Sequence, residues 1–137
     1  MDASFLIRCI DEVHDVIIKN EKEIESLDRA IGDGDHFINL KRGCIAIQSI
    51  NDELLPLNNS QIFQKIGMKI LSTVGGASGP LFATFFLEVA KKIKDTENEL
   101  HNFCEGFNQA VNAIKQRGKS DIGQKTMLDV LVPVAET

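Results

Sequence analysis

Asp28, Asp33 and Asp35 fall within eight positions of the stretch LDRAIGDGDHFINLKRG, residues 27–43, with Gly32 and Gly34 between them and His36 directly after. Three carboxylates crowded into a short turn repel one another unless they splay into water or share a cation. Glycines let the backbone fold tightly enough for the side chains to converge. Oxygen donors suit a hard cation, Mg²⁺ or Ca²⁺. An EF-hand counted from Asp33 fails twice: position six is Ile38 where glycine is needed, and position twelve is Cys44 where a bidentate glutamate is needed. Magnesium takes a few carboxylates and completes its octahedron with phosphate oxygens and water. The turn runs into a helix, which adds free N–H groups and the positive end of a dipole. These features point to a Mg²⁺–phosphate site. The competing reading is a set of capping aspartates and turn glycines. His36 is either a structural histidine of the turn or a ligand contact.

A second stretch, GGASGP at residues 75–80, has the make-up of a phosphate cradle on a helix N-terminus, with Ser78 adding a hydroxyl. It is not a Walker A loop, since no Gly-Lys-Ser/Thr follows. It is not a nucleophile elbow either, because Gly-x-Ser-x-Gly is unmet and the preceding residues read as helix. An ordinary helix–helix turn is the alternative. A third loop, RGKSDIGQKTMLD at residues 117–129, carries Arg117, Lys119 and Lys125, and either brings positive charge to a phosphate or is a solvated connection. His14 and His101 have no such setting and read as surface or packing residues.

Helical periodicity supplies the elements that must position these stretches. Phe5, Leu6, Cys9, Ile10, Val13, Val16 and Ile17 mark one face of a first helix, with Ser4 as its cap. Asn20 restarts the chain into a short turn carrying Glu21 to Ser26. A second helix is expected from Ile38 to about Ile50, broken before Pro56. Ser60 caps a third, with Ile62, Ile66, Ile70 and Val74 on one face, ended by Gly75 and Gly76. Leu81, Phe82, Phe85, Phe86, Val89 and Ile93 mark a fourth. Leu100, Phe103, Phe107, Ala110, Val111 and Ile114 mark a fifth, closed by Gly118. A sixth begins at Thr126 and is interrupted by Pro133. The phenylalanines on these faces read as core. No stretch alternates long enough to be a strand, so the expectation is a single all-α domain. The last apolar segment runs to Thr137 without a cap, which reads either as an abrupt end or as part of a longer domain.

The chain has 137 residues, 43% apolar and 26% charged, a globular composition. A net charge of −5 argues against a nucleic-acid or anionic-membrane surface, but not against a phosphorylated ligand whose charge a metal offsets. The three cysteines, Cys9, Cys44 and Cys104, form no CxxC and read as small buried apolar residues. No signal peptide or apolar span is evident, and the expected location is cytoplasmic.

In this order, LDRAIGDGDH, VGGASGPLFATFF and RGKSDIGQKTMLDVLVP resemble the L subunit of dihydroxyacetone kinase, the nucleotide-binding domain of that kinase family, over essentially all of this chain. The resemblance implies a barrel of amphipathic antiparallel helices. It is incomplete here, because the family's domain continues for further helices past Thr137. It implies adenine nucleotide, ADP or ATP, at one end, with its phosphates held through two Mg²⁺ ions by Asp28, Asp33 and Asp35. The nucleotide-contacting positions match His36, Phe37, Ile38 and Asn39, then Ala77 and Ser78, then Gly118 and Met127. Phe37 stands where the family commonly has glycine. The phosphoryl group goes to dihydroxyacetone held covalently on a separate K subunit or domain. The donor is ATP in some members; in phosphotransferase-system members, bound ADP is rephosphorylated by a partner subunit. No catalytic base is expected on this chain. A chain ending at Thr137 is expected to expose apolar faces of the remaining helices, which invites homo-oligomerisation or help from a partner. The alternative is a truncated, inactive domain acting as a binding or interaction module.

Overall fold

The apolar periodicity resolves into eight helices among residues 3–93 and 98–137, the residues described by the computed structural model. They are α1 (Ala3–Lys19), α2 (Glu21–Ile31), α3 (His36–Gln48), α4 (Asn51–Leu54), α5 (Asn59–Thr73), α6 (Ser78–Lys92), α7 (Glu99–Gly118) and α8 (Leu128–Ala135). No strand occurs among the described residues, and the fold is all-α as the sequence predicts.

Several boundaries differ from the sequence reading, each for a local reason. Asn20 does not open a turn. Its N–H bonds the Val16 carbonyl at 3.2 Å and its own carbonyl accepts from Ile24 at 3.0 Å, so the helical ladder passes through it into α2. Glu21 and Glu23 lie in the first turn of α2, where the helix dipole favours negative charge. Ser4 lies inside α1. The cap of α5 is Asn58, not Ser60. Asn58 and Gln61 form a reciprocal capping box, each side chain accepting from the other's backbone N–H, at 2.9 and 3.1 Å. Ser60 instead donates its hydroxyl to the Ala90 carbonyl at 2.7 Å, tying α5 to α6. Pro133 lies within α8 and does not end it. The helix loses one N–H there, and the ladder resumes with Glu136 on Val132 at 3.1 Å.

The helices pack in the order α1–α3–α5–α6–α7–α8, with α2 against α3. Leu54, Ile62, Ile66, Val89 and Ala110 are buried between them. Phe63, Phe86, Phe85, Phe107 and Phe103 close into a ring of tilted and edge-on contacts, with centroids 5.2–6.3 Å apart. Phe63 joins this core although the expected face of its helix holds Ile62, Ile66, Ile70 and Val74, whereas Phe5 is 45% exposed. A second cluster gathers Val111, Ile114 and Leu128 with Leu81, Phe85 and Met127.

Of the predicted α1 stripe only Leu6 is buried, while Phe5, Cys9, Val13 and Val16 stay exposed. Leu6, Cys9, Ile10 and Val13, with residues of α3, α5 and α6, line an apolar cavity of about 350 Å³. Cys9 and Cys104 are exposed, and only Cys44 is buried, so the expectation of three buried cysteines holds for one. Burial pushes the Cys44 thiol pKa up.

From α3 onward, α5, α6 and α7 each run back along the helix packed before them, so the chain reversals alternate between the two ends of the row. Residues 32–35, 74–77 and 119–127 therefore share one end. A Cβ at Gly75 would lie 3.0 Å from Asn39 Oδ1, and one at Gly118 would lie 3.7 Å from a Leu81 methyl. These approaches join α3 to the second loop, and α6 to the third.

Candidate functional site

Asp28 lies in the last turn of α2, and the chain turns back over it through Gly32 to Asp35. A side chain at Gly32 would collide with the Asp28 carboxylate, and Gly34 adopts φ 79°. The turn therefore needs glycine at both places, for close approach at one and for left-handed backbone at the other. The tight path brings carboxylate oxygens of Asp28, Asp33 and Asp35 within 4.8 Å of one another.

How those oxygens are used is informative. Asp28 Oδ2 accepts from the His36 N–H at 3.0 Å, reaching over the turn to cap α3. Asp35 occupies the N-cap position of α3, yet its side chain makes no capping bond. Arg29 pairs with Glu25 at 3.4 Å, while its side chain passes over Gly34, where a Cβ would lie 3.8 Å from Nε. Among the described residues no basic side chain pairs with any of the three aspartates. Three like charges at this spacing with no ion-pair partner form a donor set that fits a hard divalent cation. The first turn of α3 adds amides, those of Phe37 and Ile38 among them, at a helix end with no intrahelical partners.

The other expected residues divide. His36 is half-buried at the start of α3. The Phe37 side chain is 2% exposed, with Lys41 Nζ 5.7 Å from its ring centroid, so only its backbone faces the turn. Ile38 points outward into a surface groove with Lys41, Arg42 and Ile45. Asn39 is buried, accepts from Arg42 at 3.3 Å and abuts Gly75, linking α3 to the glycine turn. Ala77 is exposed, and Ser78 opens α6. Gly118 ends α7 beside Leu81, and Met127 is half-buried in the cluster with Leu81 and Phe85. The structure thus brings Asp28, Asp33, Asp35 and His36 together, and places the 75–78 and 118–127 stretches at the same end of the molecule.

The sequence reading passed over Asp129. Its Oδ1 accepts from the Gly123 N–H at 2.6 Å and its Oδ2 from the Thr126 N–H at 2.9 Å. The amides of Gly123 and then Thr126 hold its carboxyl below the usual carboxylate range. The signal was present: Thr126 followed three residues later by Asp129 is a capping-box pattern. Asp121 is likewise held below the usual range, first by Lys115, 2.8 Å away, and then by the Ile122 N–H. The cations expected to serve a phosphate, Arg117, Lys119 and Lys125, are all exposed.

Comparison with known proteins gives this geometry a context. The chain is 38% identical over 137 residues to the ADP-binding subunit DhaL of a PEP-dependent dihydroxyacetone kinase from Escherichia coli, covering 98% of this chain and 63% of that one. It is 35% identical over 133 residues to a Listeria innocua ADP-binding subunit DhaL, covering 97% and 67% respectively. It therefore spans about two thirds of the length of these relatives. The crystal structure of the C. freundii dihydroxyacetone kinase with AMP-PNP and Mg²⁺ superposes with a TM-score of 0.82 and 27% identity, over 97% of this chain and 24% of that one. Residues 30–137, from just after Asp28 to the last helix, match the DAK2 domain, and the chain belongs to that family.

Proposed function

We propose that this chain is the Mg²⁺-dependent ADP/ATP-binding component of a dihydroxyacetone-type kinase, passing a phosphoryl group to dihydroxyacetone or a similar small ketose held on a partner K subunit. The observation that carries the reading is the cluster of three aspartates, none of them ion-paired among the described residues, at the N-terminus of α3. Relatives named as ADP-binding subunits and a matching kinase structure with AMP-PNP and Mg²⁺ support it.

On this reading Asp28, Asp33 and Asp35 hold two Mg²⁺ ions. Bound there, the metal neutralises phosphate charge and that of the transferring group. Phosphoryl transfer asks a protein mainly for positioning and electrostatic stabilisation. The chain's own residues meet that need. Asp28 ties the turn to α3, the first amides of α3 face the phosphates, and Ser78 opens a second helix N-terminus beside them. A nucleotide laid along this end of the helix row has its phosphates at α2–α3. Its nucleoside part lies toward Gly118 and Met127, where the apolar cluster with Leu81 begins. In transfer from ATP, the bond from the γ-phosphorus to the β–γ bridging oxygen breaks and one to the acceptor hydroxyl forms. The hydroxyl proton goes to the partner that holds the acceptor. Rephosphorylation of bound ADP by a phosphotransferase-system subunit is the alternative donor route.

The test is calorimetric titration of ADP into the chain with Mg²⁺, with EDTA, and into Asp33→Asn with Mg²⁺. Binding that needs both metal and Asp33 supports the reading. Equal binding in all three conditions, or none from a folded chain, overturns it. The second outcome favours an inactive domain serving as an interaction module, a reading to which the open apolar cavity behind α1 lends weight.

A further inference from the structure

Asp129 does more than cap a helix. Thr126 already turns its hydroxyl to the Leu128 N–H at 3.2 Å, and the Asp129 carboxylate reaches back past it to Gly123. The stretch it spans is one the backbone does not adopt readily. Gly123 has φ 84° and Lys125 has φ 57°, both left-handed, the second at a residue with a side chain. Two amides on one carboxylate hold residues 123–126 in that shape. The held stretch delivers Met127 into the cluster with Leu81 and Phe85. Ahead of it, Asp121 is tied to Lys115, and its own N–H donates to Gln124 at 3.1 Å, so the loop is braced at both ends.

We propose that Asp129 is a positioning residue for nucleotide: it preforms the 119–127 loop so that Gly118 and Met127 meet the nucleoside part of the ligand without reordering. This rests on the reading of the site as an ADP/ATP site. A loop ordered before binding spares the complex the entropy of ordering it. Removing its organising carboxylate transfers that cost to the binding step. The loop lies at the α7–α8 side of the row and the aspartate cluster at the α2–α3 side, so the loss falls on nucleoside recognition and not on the phosphates.

The experiment compares the Mg²⁺-dependent affinities for ADP and for inorganic pyrophosphate, in the wild-type chain, Asp129→Asn and Gly123→Ala. Asparagine keeps one acceptor oxygen and loses the other. Alanine at 123 meets nothing within 4 Å, so it perturbs only the left-handed backbone, and it decides the question if Asp129→Asn does not fold. The expected result is ADP affinity lowered about tenfold in each variant, the size of a lost charge-assisted hydrogen bond in Asp129→Asn and of left-handed strain in Gly123→Ala, with pyrophosphate affinity within about twofold of wild type. ADP affinity unchanged in both variants, or ADP and pyrophosphate weakened alike, overturns the proposal. Failure of the wild-type chain to bind ADP removes the site reading and this inference together, a result distinct from wild-type binding that the variants leave intact.

Discussion

Replacing Asp33 with asparagine is expected to stabilise the metal-free protein and to abolish its stabilisation by Mg·ADP. The side chain is exposed, and among the described residues no basic group pairs with it. Its carboxylate lies within 4.8 Å of those of Asp28 and Asp35. In a water-like dielectric each such pair repels by about 0.9 kcal/mol. Asp33→Asn removes both of its repulsions and leaves the Asp28–His36 cap intact. After screening, the gain is about 1 kcal/mol, or about 3–4 °C in melting temperature for a chain of this size. The measurement is thermal unfolding by circular dichroism in EDTA at low and at high salt, then with Mg·ADP. The gain should shrink with salt, because surface repulsion is screened within about 10 Å at 0.1 M. Wild type with ligand at about a hundred times its Kd gains about 2.7 kcal/mol, and the variant gains none. An Asp33→Asn chain less stable than wild type in EDTA would show that Asp33 makes a favourable contact and that the cluster is not charge-strained. A Mg·ADP shift that survives the substitution would show that the aspartates do not hold the ion.

Two further outcomes follow from packing and titration. Leu54 in α4 is fully buried, so Leu54→Ala is expected to cost about 3 kcal/mol by denaturant unfolding, and a loss below about 1 kcal/mol would mean that α4 contributes little to the core. Asp121, Asp129 and Glu53 all have folded pKa values below the unfolded ones, so their stabilisation is complete above the ordinary carboxylate range and is lost as pH falls through the lowered values; Asp121→Asn is expected to flatten the acid limb of the stability–pH curve, and an unchanged limb would count against the Lys115–Asp121 pairing.

Legibility differed by element and for physical reasons. The α5 face of Ile62, Ile66 and Ile70 was plain, because burial on one side of a helix imposes 3- and 4-residue spacing. The boundaries were less so. Asn20 looks like a break by propensity, but its backbone bonds both ways and the helix continues. Ser60 looks like a cap, but Asn58 with Gln61 makes a better one, and Ser60 finds a partner 30 residues away on α6. Cys9 and Val13 carry the helical repeat, yet they stay exposed at the rim of an open apolar cavity, because a pattern records spacing and not whether a neighbouring helix covers the face.

The sequence alone determined the helical class, the three chemically marked stretches and the candidate cation ligands. These depend on residue type and near spacing: carboxylates for a hard cation, glycines for tight turns, apolar residues at the helical repeat. Tertiary structure decided what spacing along the chain cannot express. It left Asp35 without a capping bond and paired Arg29 with Glu25, so that among the described residues no basic side chain forms an ion pair with the three carboxylates. It buried the Phe37 ring and set Ile38 on the outer face of α3. Stretches lying some 40 residues apart met at one end only because successive helices run antiparallel. Asp129 owes its hold on Gly123 to a fold of the loop whose left-handed residues no propensity announces.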